Sequence, residues 1–124
     1  MPDFKKYVVL SATPEEVYQA LTFEATVELW TAAPARIVPV VGEEFSMWDG
    51  GIVGRFVALE PKMMIRQEWY FGKNDPSLVT IKLHEDKRGT SMEIRHANIP
   101  EGDYDDIVEG WNEIYLRDLV EFYN

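Results

Sequence analysis

The chain has 124 residues, 46% of them hydrophobic, which suits one globular domain spanning residues 1–124 with a sizeable core. Its 22 acidic and 12 basic residues leave a formal net charge of -10, a field that repels nucleic acid and anionic membrane surfaces. Cys is absent, which excludes disulfides, thiolate catalysis and cysteine metal sites.

Four Trp, six Tyr and six Phe are many for this length, and such side chains either fill a core or line a hollow for apolar guests. His84 and His96 are the only imidazoles and have no familiar ligand spacing, so neither a metal nor another cofactor is expected. Between Met1 and Leu10 the only apolar run, Tyr7 to Leu10, follows Lys5 and Lys6 and is too brief for a signal-peptide core. No run of about 18 uncharged apolar residues offers a membrane span, and the expected location is the cytoplasm.

A Val- and Tyr-rich first strand, Lys5 to Ser11, meets Thr13-Pro14-Glu15-Glu16. Thr13 as N-cap, Pro14 at the first helical position and Glu16 closing a capping box predict a helix that buries Val17, Ala20 and Leu21. Phe23, Val27 and Trp30 recur at helical spacing and predict a second short helix over 23–30. Without a basic recognition helix, the pair does not read as a DNA-binding unit.

From Ala35 the pattern becomes that of an antiparallel meander. Turn residues at Val41-Gly42-Glu43, Asp49-Gly50-Gly51, Glu60-Pro61-Lys62, Gly72 to Pro76 and Lys87-Arg88-Gly89 divide it. The predicted strands are 36–40, 44–48, 52–60, 63–71, 78–85 and 90–98, which with the first make seven. Alternation turns Val79, Ile81 and Leu83 inward, then Met92, Ile94 and His96, and on the earlier strand Met63, Ile65, Gln67, Trp69 and Phe71. Gly50-Gly51 and Gly54 read as hairpin residues rather than a phosphate loop.

The last predicted element is a helix over 103–122, with Asp103 as N-cap and Asp105 and Asp106 at the positive end of its dipole. Capping explains these acids better than a cation site, since they lack the Gly and distal Glu of a calcium loop. Val108, Trp111, Tyr115, Leu119 and Phe122 form the apolar stripe, and Glu113, Arg117 and Glu121 a solvated, charge-paired outer face. The fold class is therefore α+β: a curved seven-stranded antiparallel sheet, two short helices after its first strand, and a long C-terminal helix across it.

This element order resembles the helix-grip fold of START-like and birch-pollen-allergen-like (SRPBCC) proteins. The segment from Gly42 to Phe56, Leu59-Glu60-Pro61, Ile65-Arg66-Gln67-Glu68-Trp69, His96-Ala97-Asn98-Ile99-Pro100 and Glu109-Gly110-Trp111 with Tyr115-Leu116 is similar to homologues of the activator of heat-shock-protein-90 ATPase. The likeness covers nearly the whole chain. It departs where Gly72-Lys73-Asn74-Asp75-Pro76 replaces a frequent Trp-Pro, and the additional N-terminal domain of the eukaryotic co-chaperones has no counterpart here. The resemblance implies a non-enzymatic module binding a small apolar ligand or a protein client in a chaperone or stress setting. The alternative it implies is an enzyme of the polyketide cyclase or dehydratase type using the same cavity.

The expected cavity residues are Trp30, Trp48, Gln67, Trp69, Ile81, Met92, His96, Trp111 and Tyr115. His96 is the one candidate for acid-base work, but no nucleophile or second acid accompanies it, so no catalytic residue is assigned. The competing expectation is a core histidine that pairs with Gln67 past Ile81. Trp69 and Trp111 are expected to meet across the sheet-helix interface, with Trp30 and Trp48 at opposite borders of the same space.

Overall fold

A computed structural model describes residues 3–124; Met1 and Pro2, part of the segment read for a signal peptide, lie outside the described residues. The first strand, β1 (Phe4–Leu10), leads into helix α1 (Pro14–Thr22). The capping box forms as the spacing requires: Glu16 N–H donates to Thr13 Oγ1 at 3.2 Å, and Thr13 N–H to Glu16 Oε1 at 3.0 Å. Thr13→Ala should cost about 1 kcal/mol, read as a shift in the urea midpoint at unchanged slope.

Helix α2 spans Glu24–Thr31 and buries Val27 and Trp30. Phe23, expected on that buried face, is instead the extended link between the helices and half exposed. Extended backbone breaks the helical phase before Glu24, so Phe23 shares no face with Val27.

Among the described residues the sheet has six strands: β1, β2 (Glu44–Met47), β3 (Ile52–Glu60), β4 (Met64–Trp69), β5 (Ser77–Asp86) and β6 (Gly89–Ala97), in the order β1-β6-β5-β4-β3-β2 with every pairing antiparallel. The expected strand over 36–40 does not form. Only Arg36 bridges to Ser46, while the neighbouring backbone donors are captured by α2: Ala35 N–H by Glu28 Oε2 at 3.0 Å, Ile37 N–H by Glu24 Oε1 at 2.9 Å. Pro39 has no donor, and a tight turn from Val40 N–H to Val38 C=O then ends any extended run.

Alternation on β5 and β6 holds, with Val79, Ile81, Leu83, Met92, Ile94 and His96 all buried on one face. Met63 departs from its predicted inward place: it precedes β4 in a turn and is 63% exposed. A bulge between Phe56 and Ala58 shifts the β3–β4 register and bends that side of the sheet. Gly54 permits the close approach there, since a Cβ would sit 1.9 Å from the Glu68 carbonyl oxygen.

The C-terminal helical segment differs from its prediction at two points. Asp103 makes no side-chain cap; a 3₁₀ turn, Glu101–Asp103, runs into α3 (Tyr104–Gly110) and takes up the start. Further along, Trp111–Tyr115 is a π-helical turn between α3 and α4 (Leu116–Tyr123), with Leu116 N–H donating to Trp111 C=O. That wider turn advances the phase by about one residue. Leu116 therefore joins Trp111, Tyr115 and Leu119 in the core, while Phe122, expected on the stripe, is 41% exposed. On the outer face Arg117 reaches Asp118 at 3.9 Å rather than bridging Glu113 and Glu121.

The core lies between this segment, the two short helices and the inner face of the sheet, as one cluster from Leu10 to Leu119. Among the described residues no helix is long and apolar enough to cross a membrane.

Candidate functional site

The inner face of β4 carries Gln67 and Trp69, and that of β6 carries His96. Each polar residue accepts an indole proton: Trp69 Nε1–H donates to Gln67 Oε1 at 2.8 Å, and Trp111 Nε1–H to His96 Nδ1 at 3.0 Å. The two indoles stack with centroids 5.1 Å apart and planes 16° apart. Polar side chains on an otherwise apolar face thus serve buried Trp N–H groups, which need acceptors.

Gln67 and His96 do not pair with one another. The register sets both opposite Val79, not Ile81, and the stacked Trp rings supply their partners instead. His96 is further fixed by Ser77 Oγ, 2.7 Å from its Nε2. Because Nδ1 accepts from Trp111, the neutral ring carries its proton on Nε2 and donates it to Ser77. Burial holds the imidazole well below its ordinary 6.5, at about 4, against a small opposing pull from the Asp3 carboxylate. His96 is neutral, doubly hydrogen-bonded and 1% exposed, so it has no free lone pair to offer a substrate at neutral pH. Sequence reasoning missed Ser77 by starting its strand at Leu78; one more step of alternation puts it on the face of Val79.

The space open to a guest lies to one side of this sealed cluster. A cleft of about 380 Å³ runs between the turn from β2 to β3, the end of β4 and the terminal helical segment. Trp48, Ile52, Trp69 and Phe71 form one wall, and Ile107, Gly110, Ile114 and Tyr115 the other, with Asp106 and Tyr70 the polar side chains nearer the rim. Of the nine expected cavity residues, Trp48, Trp69 and Tyr115 line this cleft. Trp30, Gln67, Ile81, Met92, His96 and Trp111 pack in the core behind it.

Trp30 and Trp48 are not at opposite borders: their rings meet edge to face at 5.4 Å, and both touch Tyr115, at 5.3 and 5.4 Å. Trp48 has left-handed backbone, φ 51°, which costs a bulky residue roughly 1–2 kcal/mol. Its contacts with Trp30 and Tyr115 hold that conformation and keep the wall of the cleft in place. Burial raises the Tyr115 phenol well above its ordinary value, so it remains a protonated donor.

Gly110 is the residue whose part in the cleft the sequence least advertised. A Cβ added there would meet nothing within 4 Å. Glycine inside a helix is about 1 kcal/mol worse than Ala, and no packing at this position offsets that. What the missing side chain leaves is open space in the cleft.

Comparison with known proteins places this geometry. Residues 11–124 match the family described as Activator of Hsp90 ATPase homolog 1-like protein. The chain belongs to that family. Among its relatives are the mouse and human proteins named Activator of 90 kDa heat shock protein ATPase homolog 1, each 32% identical over 113 residues and covering 88% of this chain. The chain spans about a third of the length of these curated relatives, 33% of each. The crystal structure of an HSP90 activator from Plasmodium falciparum is similar in fold, with a TM-score of 0.86 at 24% identity over 94% of this chain and 91% of that one. The helix-grip fold is thus the architecture of this member too, with six strands in place of seven.

Proposed function

We propose that this chain is a non-enzymatic binding module that takes an apolar group, from a small molecule or a protein client, into the cleft between sheet and terminal helix. The observation that carries this is the division of the interior: the cleft is apolar and open, while the single inner-face imidazole, His96, is sealed away and engaged at both ring nitrogens. Shape and one or two polar anchors suffice for binding, whereas a cyclase needs a proton-transfer group at the substrate. The names of its relatives, activators of a 90 kDa heat shock protein ATPase, support a chaperone setting for that binding.

The test is a titration with the neutral apolar dye Nile red, read by dye emission and by quenching of Trp48 and Trp69. Wild-type protein should bind it. Gly110→Phe, which fills the cleft from a position with open space, should reduce binding at least about tenfold while the melting midpoint holds or rises. Undiminished dye binding by this variant would refute the cleft as the site. Adding the 90 kDa chaperone of the same host checks the setting: co-elution and a changed ATPase rate are expected, and neither should survive Gly110→Phe if the cleft makes the contact.

A further inference from the structure

The cleft has a charge asymmetry that an apolar guest alone does not use. From Glu101 to Leu116 the chain holds six acidic residues, Glu101, Asp103, Asp105, Asp106, Glu109 and Glu113, and no Lys or Arg. They share the segment that contributes Asp106, Ile107, Gly110 and Ile114 to the cleft. At about 1.5 Å per residue they extend over roughly 18 Å of helix. Asp49 adds a carboxylate in the turn of the opposite wall, and Lys73 and Asp75 offset one another in the turn after Phe71. Three cations on neighbouring elements are already engaged: Arg55 by Glu68, Arg117 by Asp118, and Lys6, whose Nζ donates to Asn112 Oδ1 at 2.6 Å.

We infer that the occupant of the cleft is an apolar residue of a protein segment flanked on both sides by Lys and Arg. This rests on the binding function proposed above and narrows it to one partner chemistry. The apolar walls take the anchor, and the acids meet the flanking cations. Their spread exceeds what a small ligand covers and matches about five or six residues of extended chain at about 3.3 Å each. A negative field of this kind draws in cationic segments and turns away anionic ones. At Gly110 the missing side chain lets such a segment lie close against the helix backbone.

Three hexapeptides test this: a central Phe-Leu pair between two lysines on each side, the same pair between serines, and the lysines around a central Ser-Ser. The first should bind about tenfold tighter than the second at low salt. That advantage should disappear near 0.5 M salt, where screening shortens to about 4 Å. Combining Asp106→Asn, Glu109→Gln and Glu113→Gln should narrow the gap, and Gly110→Phe should block the first two peptides. Equal binding of the lysine- and serine-flanked peptides would overturn the inference and leave the proposed function standing. Binding of the lysine/Ser-Ser peptide as tight as the first, unaffected by Gly110→Phe, would reduce it to surface charge and overturn it as well. Failure of the wild-type protein to bind either the lysine-flanked peptide or Nile red would overturn the inference and the proposed function together.

Discussion

Trp111→Ala is expected to destabilise the fold by about 3–5 kcal/mol, the usual range for removing a packed aromatic. Its indole is 2% exposed, stacks on Trp69, lies 4.5 Å from the Tyr115 ring and 6.5 Å from Phe4, and so ties β4 and β1 to the π-turn. Truncation also leaves His96 Nδ1 without its donor. Trp111→Phe separates the two contributions: it keeps most of the packing and loses only the N–H, for about 1–3 kcal/mol. Urea melts of both variants check the order. Since Trp111 lies behind the cleft wall, Nile red affinity of the folded Trp111→Phe protein should stay close to wild type. A near-unchanged midpoint for Trp111→Ala would contradict the role of this residue as a clamp.

The second large effect is loss of stability in acid through His96. Its folded-state pKa is depressed from 6.5 to about 4, so between those values the unfolded chain binds a proton that the folded chain refuses. Stability therefore falls as pH drops from about 6.5 towards 4 and levels off below, because both states are then protonated. At 1.36 kcal/mol per unit the full loss is about 3 kcal/mol. Above pH 6.5 the group contributes no slope. His96→Gln, which offers an acceptor to Trp111 without titrating, should flatten this part of the profile even if it lowers stability at pH 7. An equal slope in wild type and variant would show that His96 is not the group responsible.

Much of this architecture is local in the sequence and therefore legible. The capping box needs only Thr13 and Glu16 three residues apart, and the inner faces of β5 and β6 follow from strict alternation. Features that failed to show depend on distant partners. Residues 36–40 have strand composition, but Glu24 takes the Ile37 donor, as Glu28 takes that of Ala35 just before it, and no periodicity reveals such a capture. The π-turn at Trp111–Tyr115 has no composition of its own, so the helical stripe read from Val108 to Phe122 holds at Trp111, Tyr115 and Leu119 but misses Leu116 and wrongly includes Phe122. His96 and Gln67 stood out as polar exceptions, yet their partners are indoles whose positions depend on helix phase and strand register. The cleft was hardest to foresee because its opening at Gly110 is the absence of a side chain, and Gly110 read only as part of a family motif.

The most direct test of the central claim, an apolar cleft that binds beside a sealed histidine, is amide chemical-shift mapping by NMR during titration with the lysine-flanked Phe-Leu peptide. Shifts are expected at Gly51, Ile52, Phe71, Gly110 and Ile114, with Ser77, Val79 and His96 unmoved. Shifts centred on Ser77 and His96, with Gly110 and Ile114 silent, would contradict it and return His96 to the place of contact.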